Sequence, residues 1–501
     1  MSQVELDPKR WTALALVGAA FFMTVLDTTV VNVALPTIQT KLHFSDTNLQ
    51  WVITAYAITF GGLLLLGGRM ADLLGRRKVF LGGLALFTVA SLVAGLSQDS
   101  TMLIILRAVQ GAGAAIVAPA SLAIVGVTFE EGAERNKALG IYGALAGSGA
   151  AAGVLLGGVL TEYLGWEWIF FINVPVGVLV FLLTPRYVRE SRLESDHFEF
   201  DPLGAVTITT SLVLLVYAIS KAPTNGWGSG QTIGLLIGAA VLLVAFLVIE
   251  SRNKHPLMRL GIFRVGTVSG ANVVGFMLNG SLVCMFFLLT LYVQQILGYS
   301  AIKAGLTFLA TAGTAVVAAG VAQALVTRIG VRPVLVTGML LMAVGMFLYT
   351  RLPVHGSFVS DLLGGYILVG IGIGFAYVPT SIAALGGVAE DETGLASGLI
   401  NTSQQVGAAI AVALASTIFV ERANSVLAGL HSHITTSFEP DDINYAFTQG
   451  YKRAFLVVAF GAAVVGALAA IFMIRGPVVA PQEAASVPSP PAVEPGGSAS
   501  G

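Results

Sequence analysis

An all-α protein that crosses a membrane many times is predicted by three observations on this chain. Its 501 residues are 55% hydrophobic and only 11% charged, where a soluble domain carries roughly 25% charge. Apolar runs long enough to span a bilayer recur from one end to the other. The breaks between them alternate between many and few basic residues. In hydrocarbon such runs can satisfy their backbone only as helices, because they lack the polar alternation of a barrel strand.

The first run, near 11–35, follows Lys9 and Arg10 directly. It is too long for a cleaved signal segment and is expected to remain as an anchor. Runs near 51–70, 79–97, 102–126, 138–160 and 168–185 follow, each bounded by glycine, proline or charge. Two more lie near 203–220 and 231–249, and the last six near 268–291, 304–326, 333–350, 361–380, 395–419 and 454–474. Fourteen helices are expected, which returns the chain to its starting side. Taking alternate breaks, one side holds 18 of the Lys and Arg residues and the other 7, with Arg107 left inside a run. Both termini are therefore expected in the cytoplasm.

The expected organisation is a six-helix bundle over 1–200, two inserted helices over 201–252 and a second six-helix bundle over 253–475. A tail over 476–501, rich in Pro, Ala, Ser and Gly, has too little apolar content to bury a core. Gly75, Arg77 and Val79 recur as Gly330, Arg332 and Val334 at one constant offset. Two related bundles would give that register, and so would a chance likeness of two short basic turns.

Composition also excludes classes. A net charge of −1 and the lack of a basic patch argue against a nucleic-acid partner. The single cysteine, Cys284, allows no internal disulfide, and the six histidines suggest no metal cluster. No Gly-x4-Gly-Lys-Ser/Thr loop is present, so ATP is not the expected energy source.

Two charges sit inside apolar runs. Asp27 lies in Leu26-Asp-Thr-Thr-Val-Val-Asn32-Val-Ala-Leu-Pro36, and Arg107 opens Arg-Ala-Val-Gln110-Gly111-Ala-Gly113. Ionisable groups at membrane depth are costly and mark function by default. Counted from the run ends, both fall in the outer half at similar height. They can form either a titrating pair, with Arg107 tuning the acid because it cannot itself release a proton, or a static ion pair that only joins two helices.

Several segments together resemble the major facilitator superfamily, and within it the fourteen-helix drug:proton antiporters that act as multidrug efflux exporters. They include the Asp27 segment, Trp51-Val-Ile-Thr-Ala-Tyr56, the loop Gly68-Arg-Met-Ala-Asp72-Leu-Leu-Gly75-Arg76-Arg77-Lys78, the Arg107 segment, Tyr292-Val-Gln-Gln-Ile-Leu-Gly298-Tyr-Ser300 and Ser397-Gly-Leu-Ile-Asn401-Thr-Ser-Gln404-Gln405. The likeness covers about residues 10–475. It implies the major facilitator fold and, in place of an enzyme, a monomeric exporter in a bacterial cell membrane. It implies exchange of amphipathic small molecules, cations among them, for protons, with no cofactor beyond the proton gradient. A dedicated exporter or a proton symporter of one metabolite, natural product or lipid would use the same scaffold. The resemblance assigns proton coupling to Asp27 and Arg107, and a conformational gate to Gly68, Asp72, Gly75, Arg76 and Arg77. Met23, Asn32, Trp51, Tyr56, Gln110, Phe276, Asn401 and Gln404 are candidates for the substrate cavity, with packing or lipid contact as the plainer alternative. Gly111 leaves room beside Arg107, and Gly149, Gly153 and Gly157 form a close-packing ladder. The chain departs from the family pattern at Val154, where the antiport motif has a proline.

Overall fold

The computed structural model describes residues 9–129, 133–191, 202–253, 260–385, 393–431 and 439–474. Among them the chain is all-helical. The expected tail lies outside the described residues. We call the face carrying the basic loops inner and the opposite face outer.

The helices are α1 (Arg10–Lys41), α2 (Asp46–Leu49), α3 (Trp51–Leu74), α4 (Arg76–Ala94), α5 (Ser100–Thr128), α6 (Ala133–Tyr163), α7 (Trp168–Phe171) and α8 (Asn173–Tyr187). They continue as α9 (Pro202–Asn225), α10 (Gly230–Arg252), α11 (Gly266–Leu291), α12 (Ala301–Ile329), α13 (Val331–Leu348), α14 (Leu363–Leu385), α15 (Thr393–His431), α16 (Pro440–Ala454) and α17 (Gly461–Met473). Eleven spans among the described residues are long and apolar enough to cross a membrane, and shorter apolar stretches at 51–64, 152–163 and 203–219 accompany them.

The sequence reading falls short at three places. α1 runs on past Pro36 to Lys41, while Asp27 stays level with Arg107 near the start of α5 and, through it, with Val52 at the start of α3. α15 reaches His431, and α16 begins the last span at Pro440, well before the apolar run at 454. Hydropathy ends where the lipid ends, but the helix does not. Pro440 occupies the first turn and Asp442 Oδ2 accepts from the Glu439 backbone N–H at 3.2 Å, so the polar stretch still carries its own start signal.

Within the first bundle α1 packs on α6 and α5 on both α3 and α4; in the second, α11 packs on α15 and α14 on α12 and α13. The bundles meet along α3 against α15 and α6 against α12. α9 lies against both α3 and α15, with α10 outside it.

Small residues set these crossings. A Cβ on Gly153 would lie 2.8 Å from the Leu26 carbonyl oxygen, one on Gly157 2.8 Å from that of Val30, and one on Gly149 3.2 Å from that of Phe22, so the ladder on α6 faces α1. The α6–α12 seam uses the same device, with Gly158 against Ile302 and Gly305 against the Val154 carbonyl. Without a hydrophobic drive between helices in lipid, this closeness is what packing rests on.

The outer side is tied shut. Gln294 Nε2 donates to the Val33 carbonyl at 2.9 Å, Gln295 Nε2 to Gln39 Oε1 at 2.8 Å, and the Ile302 N–H to Glu162 Oε2 at 3.1 Å. All three join the first bundle to the second.

Candidate functional site

The two charges within the apolar runs meet. Arg107 Nη1 lies 2.5 Å from Asp27 Oδ2, with Asp27 0% and Arg107 1% exposed. Asp27 Oδ1 accepts from Gln110 Nε2 at 3.2 Å and from Asn173 Nδ2 at 3.0 Å. Arg107 Nε donates to the Val52 carbonyl at 2.9 Å, its Nη1 reaches Gln110 Oε1 at 3.1 Å, and its guanidinium lies 4.5 Å from the Tyr56 ring centroid. Asn173 also donates to Ser91 Oγ at 3.0 Å, and Ser91 to the Phe170 carbonyl at 2.9 Å.

Helix geometry explains the cluster. Arg107, Gln110 and Gly111 share one face of α5. Gly111 lets that face close on α3, where its missing Cβ leaves space beside Tyr56 and Thr59, and Thr59 Oγ1 donates to the Ala108 carbonyl at 2.8 Å. α7 passes into α8 through a helical Ile172, and Asn173 at the start of α8 points at α1. Five helices, α1, α3, α4, α5 and α8, thus converge on one carboxylate. Full burial with every oxygen satisfied makes its charge stable only while these partners stay in place.

Asn173 and Ser91 were not anticipated. Asn173 is an amide in an otherwise apolar span, a weak version of the signal that exposed Asp27, while a lone serine in a transmembrane run carries no signal.

The other candidates separate. Gln110 and Tyr56 are buried in the ion-pair cluster. Met23 is 3% exposed inside the first bundle, with Tyr56 and Tyr142 in the same apolar cluster. Trp51 packs toward Tyr217 of α9, ring centroids 6.4 Å apart. Asn32 is 8% exposed; its Nδ2 donates to the Thr28 carbonyl at 2.8 Å, and its Oδ1 has no hydrogen-bond partner among the described residues. In the second bundle Asn401 is exposed on α15 and Gln404 half-buried. The Gln404 carbonyl accepts from Asn279 Nδ2 at 2.9 Å, and Asn279 Oδ1 from Tyr377 OH at 2.8 Å. The Phe276 backbone lies against Gly407, and Met277 turns toward Gly466 of α17. Asn279 and Tyr377 escaped sequence reading because isolated polar residues in apolar helices do not announce a shared face.

At the inner side, Gly75 caps α4 with φ 109° and Gly330 caps α13 with φ 87°, a conformation glycine alone adopts freely. Arg77 Nη1 donates to the Val188 carbonyl at 3.2 Å past the end of α8, and its backbone N–H to Glu190 Oε1 at 3.0 Å. Arg332 Nη2 donates to the Ile471 carbonyl at 2.5 Å, at the end of α17. The repeated turn therefore does the same work twice: a guanidinium holds the negative end of the last helix in its own bundle. The Gly68 backbone sits near Pro119 of α5, and the Arg76 N–H donates to the Ser191 carbonyl at 2.9 Å. The Asp72 side chain lies outside the described residues.

Paired helical bundles with a carboxylate–guanidinium pair buried among their spanning helices fit a secondary-transporter architecture. The model of the Major Facilitator Superfamily matches residues 17–412 and 273–495, and the chain belongs to that family. Membership makes it a membrane-embedded transporter of small molecules. It is 42% identical over 415 residues to the puromycin resistance protein pur8 of Streptomyces alboniger, covering 82% of each chain. It is 38% identical to the cephamycin export protein CmcT of Amycolatopsis lactamdurans, covering 85% of this chain and 88% of that one. Among solved structures, an auto-inhibited POT family peptide transporter aligns with TM-score 0.68 and 15% identity over 93% of this chain and 98% of that one, a likeness of fold.

Proposed function

We propose that this protein exports amphipathic small molecules, antibiotics among them, in exchange for protons across a bacterial cytoplasmic membrane. It would act as a monomer with both termini inside, fourteen crossings and no cofactor. The observation that carries the reading is the Asp27–Arg107 pair, sealed from solvent and joined to helices of one bundle only. Protonation removes the acid's charge and leaves Arg107, Gln110 and Asn173 without the acceptor that orients them. The tie between α1, α5 and α8 loosens, and the bundle is free to expose the site to the other side. One proton moving through about 150 mV supplies roughly 3.5 kcal/mol, enough for a gradient of about 300-fold.

Substrate would bind between the bundles, where Asn401, Gln404, Asn279 and Tyr377 of the second bundle supply polar contacts and Asn32 of the first an unused acceptor. Gly68, Asp72, Gly75, Arg76 and Arg77 would form the inner gate, since this turn straps α4 to the end of α8. The resistance and export activities named for the relatives support outward transport, even though Val154 stands in the place of the motif proline. Relatives named for one compound each, such as the tetracenomycin C resistance and export protein, favour a second reading, a dedicated exporter of a single natural product.

Proton flux in proteoliposomes tests the coupling. Adding puromycin to acid-loaded vesicles is expected to drive protons out, and Asp27→Asn to abolish that response. Substrate movement without proton movement would sink the exchange mechanism. A panel of unrelated antibiotics in a pump-deficient host separates the two readings.

A further inference from the structure

Basic residues are scarce on the outer side, seven in all, and the positive-inside rule explains why. Four of the seven gather at one place. Arg422 lies on α15, Lys452 and Arg453 on α16, and Arg351 just past the end of α13, its guanidinium 5.5 Å from the Phe347 ring centroid. Arg422, Lys452 and Arg453 line a groove of about 870 Å³ between the outer ends of these helices. Below them the wall turns apolar with Phe347, Leu456 and Val457, which are 38%, 36% and 44% exposed. The π-helical segment Phe455–Phe460 forms part of that wall, and irregular turns of this kind recur at functional sites.

Positive charge outnumbers negative in this groove. Among the described residues no ion pair joins Arg422, Lys452 or Arg453 to a carboxylate. The one acid lining the groove, Glu421, accepts from the neutral Trp227 Nε1 at 2.7 Å, which does not cancel its charge, so three cations stand against one carboxylate. The height is also telling. By sequence, Arg422 stands where the apolar run of α15 ends, and Lys452 and Arg453 where that of the last span begins, the height expected for lipid headgroups.

We propose that this groove holds an anionic phospholipid of the outer leaflet. Its phosphate sits among Arg422, Lys452 and Arg453, and one acyl chain runs down Phe347, Leu456 and Val457. A soluble anion would leave the apolar wall unused, and a zwitterionic lipid would leave the positive charge unanswered.

Native mass spectrometry of the full chain, released from nanodiscs of equal phosphatidylglycerol and phosphatidylcholine, tests the assignment. The wild type is expected to retain phosphatidylglycerol preferentially. Arg422→Gln with Arg453→Gln is expected to lower that preference by about fivefold per cation removed. Lys303→Gln, an outer cation elsewhere whose ammonium lies 3.6 Å from the Tyr299 ring centroid, should leave it unchanged. Should the double variant fail to fold, Lys452→Gln alone carries the same comparison. Equal retention of the two lipids, or a preference untouched by the groove variants, overturns the proposal. Displacement of the lipid by millimolar inorganic phosphate would also overturn it, since the site would then be one for soluble anions.

Discussion

The two bundles solve the same packing problem and differ in the polar groups they bury among their helices. Both begin their third helix with a positive-φ glycine, and in both an arginine two residues on holds the end of the last helix, Arg77 on Val188 and Arg332 on Ile471. Around the first bundle's centre stands a fully buried charge pair with its own polar retinue. The second has a neutral network of Asn279, Tyr377 and the Gln404 backbone. The struts match in the two bundles while the buried polar chemistry differs. A bundle with a buried charge can respond to a proton, and one with neutral amides and a phenol can hydrogen-bond varied ligands without such a response.

The strongest way to break this contrast is to remove the charge. Asp27→Asn should strand Arg107 in the bundle and lower stability by about 3–5 kcal/mol, as breaking a buried pair does. The Asp27→Asn/Arg107→Gln double variant should regain most of that in a thermal unfolding assay while still failing to move protons. If the double variant transports normally, the pair is only a fastener.

Next comes the difference between seams inside and between bundles. Gly153→Val, against the Leu26 carbonyl, should destabilise the folded protein by about 1–3 kcal/mol. Gly305→Val, against the Val154 carbonyl on the other bundle, should leave stability nearer wild type. Its effect should be to open the outer side, read as increased labelling of a cysteine placed at Thr161. A Gly305 variant as unstable as the Gly153 one would show that the bundles do not separate along α6 and α12.

The smallest expected effect concerns the struts. Arg77→Ala loses contacts to the Val188 carbonyl and to Glu190, and Arg332→Ala mainly one carbonyl contact at Ile471. Exposed hydrogen bonds of this kind are worth about 0.5–1.5 kcal/mol each. The Arg77 variant should therefore show the larger drop in unfolding temperature, and the order reversed would deny the first bundle its tighter strap.

Much of this was legible in the chain. Apolar runs gave the helices because lipid leaves a backbone no other choice. The turn at Gly75 and Gly330 could be matched by eye because its glycines and arginines are required by local geometry. Asp27 and Arg107 stood out because charge in hydrocarbon is so costly. The reading failed where the signal was weak or ambiguous. α16 is too polar to register as part of a span, and Trp51, Met23 and Tyr56 looked alike as cavity candidates because an aromatic or thioether side chain suits a core, a lipid face and a binding site equally well.

Sequence by itself determined that this is a helical membrane protein with two intramembrane charges and a repeated turn, since each follows from transfer energies and backbone sterics acting locally. Only the tertiary structure decided that Asn173 completes the shell around Asp27, that Gln110 bonds both members of the ion pair, and that three outer cations on two helices line one groove. Those facts depend on which faces of distant helices meet, and helix packing in lipid is set by small steric fits that no hydropathy pattern records.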